Sequence, residues 1–162
     1  MDAKRIEILR ESIRYQFGQQ VAYDEKDFSW FIKNQDKISW ISISCDQYLS
    51  EDFIREFQNK VDWCNISYNQ KLSEKFIREF KNKVNWKYIS YEQTLSEDFI
   101  KEFRNKVNWY RISRSQILSE DFIREFQDEL DLKYLLRNKK ISHSFYDFLI
   151  YEKVSRFELM DV

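Results

Sequence analysis

Apolar positions recur along this chain in a fixed order that repeats every 23 residues. In the stretch LSEKFIREFKNKVNWKYISYEQT, Leu72 to Thr94, Phe76, Phe80 and Val84 follow one another at i, i+4 and i+8 and so share one helical face. Trp86, Ile89, Ser90 and Gln93 then stand at offsets 0, 3, 4 and 7, a second helical face. The same order returns as LSEDFIREFQNKVDWCNISYNQK from Leu49, LSEDFIKEFRNKVNWYRISRSQI from Leu95 and LSEDFIREFQDELDLKYLLRNKK from Leu118. A strand over WKYISY is excluded because the constant residues step by three and four, not by two.

Each copy therefore predicts two short helices. Ser73 is a good N-cap, Glu74 puts a negative charge in the first turn, and Leu72 can pack on Ile77 as a hydrophobic staple. The apolar spacing carries the first helix to Lys83 or Val84, about 11 residues or roughly 16 Å. Glu79 and Lys83 would then form an i,i+4 pair. Asn85, matched by Asp62, Asn108 and Asp131, caps the second helix, which runs from Trp86 to Gln93. The small Ser90 allows close helix approach or bonds back to a carbonyl one turn earlier.

The predicted fold class is all-α, a short α-solenoid of two-helix repeats with an N-terminal capping helix. Residues 1–25 form that cap, with Ile6, Leu9, Ile13 and Phe17 at helical spacing, Asp2 before them and Gly18 after. Residues 26–140 are the array: a divergent copy at 26–48, then 49–71, 72–94, 95–117 and 118–140. Residues 141–162 are a degenerate C-terminal capping repeat, with Phe145 in the register of Phe122. The expected core is an aromatic spine of Phe53, Phe76, Phe99 and Phe122 with Trp63, Trp86 and Trp109. The copy from Leu118 departs from the pattern, with Leu132 for Trp and Leu136 for Ser, which predicts a changed stacking contact there.

The unit L-S-E-[DK]-F-I-[RK]-E-F-x-[ND]-[KE]-x-[ND]-W-x-x-I-S-x-x-Q resembles the short tandem α-helical repeats of proteins from large DNA viruses, phages and AT-rich bacteria. The resemblance is clear over 49–140 and loose over 26–162. It implies a helical array and carries no defined activity or catalytic residue.

Composition narrows the class further. The chain is 43% hydrophobic and 34% charged, with a mean hydropathy of −0.72, as amphipathic helices that each bury one face require. Pro is absent and Gly18 is the only glycine, which removes most hairpin chemistry and any Gly-rich phosphate loop. A net charge of −1 does not match a nucleic-acid binder with a broad basic face. No apolar run reaches a membrane span, and the charged N-terminus lacks the apolar centre of a signal peptide. A cytoplasmic protein is expected, with Cys45 and Cys64 as free thiols; a disulfide or a metal pair is the minor reading.

Catalysis finds no constellation. His143 is the sole histidine and reads as an exposed polar residue. Glu56, Glu79, Glu102 and Glu125 recur at one repeat position beside Arg55, Arg78, Lys101 and Arg124, which reads as a salt-bridged surface. No enzyme activity, cofactor, metal or small-molecule substrate is expected. The positions between the constant residues of the second helix vary from copy to copy. They nominate Tyr68, Lys87, Tyr88, Tyr91, Tyr110, Arg111, Arg114, Tyr134 and Arg137 as a partner-binding face, since Tyr and Arg are enriched at interaction hot spots. A protein partner is the first reading, with a viral or phage inhibitor of a host defence protein as its concrete form. The alternatives are a nucleic-acid-binding array using Arg111, Arg114, Arg137, Lys139 and Lys140, and a purely structural scaffold.

Overall fold

A computed structural model describes residues 32–33, 35–37, 39–45, 49–137 and 140–158, and of residues 153–158 the backbone alone. The capping helix expected over 1–25 and, of the divergent copy at 26–48, residues 26–31, 34, 38 and 46–48 lie outside the described residues. The fold is all-α, a short α-solenoid of two-helix repeats, with no strand among the described residues. The helices are α1 (Trp40–Ser44), α2 (Glu51–Glu56), α3 (Trp63–Asn69), α4 (Glu74–Glu79), α5 (Trp86–Glu92), α6 (Glu97–Glu102), α7 (Trp109–Ser115), α8 (Glu120–Glu125), α9 (Leu132–Arg137) and α10 (His143–Glu158). Two compact units divide at Asn85 and Trp86, so α1–α4 belong to one and α5–α10 to the other.

Both predicted caps are formed. Ser50, Ser73, Ser96 and Ser119 each accept a hydrogen bond from the amide three residues on, at 3.1–3.2 Å. Asp62, Asn108 and Asp131 do the same for α3, α7 and α9 at 2.8, 3.0 and 2.9 Å. The first helix of each copy is shorter than its apolar spacing suggests. It has six residues, as in Glu74–Glu79, and ends where Phe80 turns to φ −105°, ψ 26°. The Lys83 and Val84 amides then both bond the Phe80 carbonyl, at 2.8 and 3.1 Å, closing a turn. Phe80 and Val84 stay buried through this turn, so the i, i+4, i+8 pattern persists where the helix does not. A turn carbonyl that no helix amide claims is taken by an indole: Trp63 Nε1 donates to the Gln58 oxygen at 2.9 Å and Trp109 Nε1 to the Arg104 oxygen at 3.0 Å.

The early helix end also redirects Glu79. Its carboxylate meets Arg55 of the preceding copy at 2.9 Å, and Lys83 reaches the Gln58 and Asn59 side chains at 2.8 and 3.0 Å. The expected Glu79–Lys83 pair gives way to contacts between layers. Within the second unit Lys101 pairs with Glu125 at 2.6 Å and Arg124 with Glu152 at 3.5 Å.

The core of each layer is Phe, Ile and Phe from the first helix and Ile from the second. Phe53, Phe76, Phe99 and Ile54, Ile66, Ile77, Ile89, Ile100 are fully buried. The tryptophans differ from the expected buried spine: Trp63, Trp86 and Trp109 are half-buried. Each lies on two phenylalanines of the next copy, as Trp63 on Phe76 and Phe80 at 6.3 and 5.0 Å and Trp86 on Phe99 and Phe103 at 6.2 and 4.9 Å. Their outer faces receive lysines, Lys83 over Trp63 and Lys106 over Trp86.

Second helices pack on second helices, α1 on α3 in the first unit and α5 on α7 on α9 in the second. Their buried serines hold this stack. Ser67 Oγ donates to the Trp63 carbonyl at 2.7 Å and accepts from the Asn85 amide at 2.9 Å. Ser44, Ser90 and Ser113 repeat the pair of bonds, accepting from Asp62, Asn108 and Asp131. Each hydroxyl thus satisfies the cap amide of the next layer's second helix. The buried glutamines complete the stack: Gln116 accepts from the Leu95 amide at 3.0 Å and donates to the Ser90 and Gln93 carbonyls.

The exchange of Ser for Leu136 fits the same logic. The residue that would need its hydroxyl, 154, lies inside α10. The last copy starts like the others, with Ser142 accepting from the Phe145 amide at 3.1 Å. It then runs on as one helix of 16 residues with no second cap.

Ser90→Ala leaves the part-buried Asn108 amide without its acceptor and is expected to cost about 1 kcal/mol in urea unfolding. In the same assay, Phe99→Ala should cost about 3–5 kcal/mol, and the half-buried Trp86→Ala clearly less.

Candidate partner-binding face

The stacking frame dictates which side chains point out. Ile, Ser and Gln at offsets 3, 4 and 7 of each second helix are buried, so the residues between them form the outer face. In the first unit Tyr68 on α3 is 50% exposed. In the second unit Lys87, Tyr91 and Tyr110 are exposed, and Tyr88, Arg111, Arg114 and Tyr134 half-buried; Arg137 ends α9 exposed.

Five of the nominated residues in the second unit are brought into one ladder. The Arg111 guanidinium lies over the Tyr91 ring at 4.9 Å and the Tyr110 ring at 5.9 Å. The Arg114 guanidinium lies over Tyr110 at 5.5 Å and Tyr134 at 5.4 Å, and its Nη1 donates to the Tyr110 hydroxyl at 3.1 Å. The order across three helices is Tyr91, Arg111, Tyr110, Arg114, Tyr134. Hydrogen bonds with the Tyr110 and Tyr134 hydroxyls raise Arg114 above its ordinary value, so it is a permanent cation.

Two further residues border this face, Lys133 in the repeat position of Lys87 and, without such a signal from its position, Ile117. Lys133 is exposed on α9 beside Tyr134. Ile117 is 95% exposed and borders a cleft of about 220 Å³ with Tyr91, Glu92, Thr94 and Ser115. The available signal was an isoleucine where the other copies carry Lys71 and Thr94.

Lys140 is turned inward. Its ammonium donates to the Ser113, Arg114 and Gln116 carbonyls at 3.1, 2.8 and 2.8 Å. It serves the C-terminal end of α7 as Gln116 serves that of α5. Burial pushes its pKa below the ordinary lysine value, while the helix end and three oxygens favour the cation. Lys139 lies outside the described residues.

Cys45 and Cys64 are free and exposed, and Cys64 Sγ accepts from the Asn85 side chain at 3.4 Å. His143 is the exposed first residue of α10. Among the described residues no group of three His, Cys, Asp or Glu side chains could hold a metal ion, and no helix is long and apolar enough to cross a membrane. Comparison with protein-family models, curated proteins and solved structures finds no match.

Lys140→Met should destabilise the second unit by about 1 kcal/mol, read as an earlier urea midpoint, because the carbonyls ending α7 lose their donor.

Proposed function

We propose that this protein is a non-enzymatic protein-interaction module that presents the outer face of α5, α7 and α9 to a protein partner. The observation that carries this reading is the division of labour along each second helix. Constant Ser and Gln residues bond a neighbouring layer, whereas the varying positions hold exposed and half-buried tyrosines and half-buried arginines already set in a ladder. Rings and guanidiniums held in place before binding lose little rotamer freedom on binding, which favours a recognition surface. A cytoplasmic setting accords with the free thiols of Cys45 and Cys64. The narrower form, a viral or phage inhibitor of a host defence protein, rests on the resemblance of the repeat unit.

The nucleic-acid reading has less support. Lys140, one of its cations, is occupied by three carbonyls. Arg111 and Arg114 are stacked on tyrosines of the protein itself.

Changing Tyr91, Arg114 and Arg137 together to Ala should abolish capture of the partner isolated with the full chain while leaving far-UV helicity unchanged. Undiminished capture by that triple variant would place the site elsewhere.

A further inference from the structure

We infer that the partner of this face is an acidic protein segment whose carboxylates seat on Arg111, Arg114, Lys133 and Arg137; this rests on the protein-interaction reading above. On the first-helix surface cations reach carboxylates of the next copy. Arg55 pairs with Glu79, Lys101 with Glu125 and Arg124 with Glu152. Arg111, Arg114, Lys133 and Arg137, in contrast, have no ion pair with a carboxylate among the described residues. Glu92 is the acid at the outer positions of α5, α7 and α9. A chain of net charge −1 thus gathers four unpaired cations on one face. Such segregation steers an anionic partner and fixes its register.

Ring geometry selects the kind of anion. Single-stranded nucleic acids bind such surfaces by stacking bases on open aromatic or guanidinium planes. Here those planes cover one another: Arg111 stacks on Tyr91 and Tyr110, and Arg114 on Tyr110 and Tyr134. Arg114 already gives part of its edge to tyrosine hydroxyls, whereas Arg111 and Arg137 have no carboxylate on theirs among the described residues, and the in-plane N–H groups of a guanidinium match the two oxygens of a carboxylate. Four cations are also few beside the roughly 6–10 phosphate contacts of a typical duplex-binding protein. An Asp- or Glu-rich segment laid across α7 and α9 meets both conditions.

The test is fluorescence anisotropy on the full chain with three labelled probes of equal length: poly-glutamate, a neutral glycine–serine peptide and oligothymidine. Poly-glutamate should bind, and more weakly as salt rises. Lys133 and Arg137 are exposed and stand outside the ring ladder, so Lys133→Glu with Arg137→Glu keeps the fold. That pair should weaken poly-glutamate binding about tenfold or more. Lys71→Glu with Lys75→Glu, exposed cations of the first unit, should change it by less than about twofold.

The inference is overturned if poly-glutamate does not bind, if either other probe binds at least as well, or if the reversal at 133 and 137 has no effect. The triple alanine variant separates the two readings. If poly-glutamate fails and that variant still loses its captured partner, the face is an interaction site for another chemistry. If the variant keeps its partner, both readings fall.

Discussion

A buried serine hydroxyl with two obligations is the constraint on which the array depends. Ser67 and Ser90 give their proton to the carbonyl one turn back and take the amide that opens the next second helix. That amide heads a helix and has no partner within it, and it lies part-buried between the stacked layers. The neighbouring serine meets the need, at the cost of fixing the distance and register between layers. A larger side chain would separate the helices, and one without a hydroxyl would strand the amide.

With the register fixed, the other repeat residues have defined partners. Gln116 can bridge the Leu95 amide and the Ser90 and Gln93 carbonyls only because α5 and α7 end side by side. The tryptophans rest at an angle on the next copy's phenylalanines, with the indole N–H turned back to close the preceding turn. Arg55 and Lys101 find carboxylates one copy ahead. Where the layer rule ends, so does the serine: Leu136 faces a copy that continues as the single helix α10. The hydroxyl and the second cap disappear together.

Constancy of the inner face leaves the outer face chemically free. In the second unit that freedom holds tyrosines, arginines and the exposed Lys133, with the two arginines fitted between rings. Charge is divided accordingly. Arg55, Lys101 and Arg124 of the first helices meet carboxylates of the next copy, and among the described residues Arg111, Arg114, Lys133 and Arg137 of the second helices meet none.

Features that depend on contacts within a few residues were legible in the sequence. Repeat length, two helices per copy, the serine and Asn/Asp caps, and the division between inner and outer positions all rest on local spacing, and the structure shows each of them. Relations between residues 18 to 26 positions apart were decided by the tertiary structure alone. Apolar spacing cannot show that the helix stops at Glu79, because Phe80 and Val84 stay buried through a turn as they would in a helix. Nor can composition distinguish Lys140, drawn into the end of α7, from Arg114, held between Tyr110 and Tyr134. A side chain's neighbours across layers depend on how the helices stack, and that is set by burial of the Phe–Ile core and by the serine hydroxyl bonds between copies.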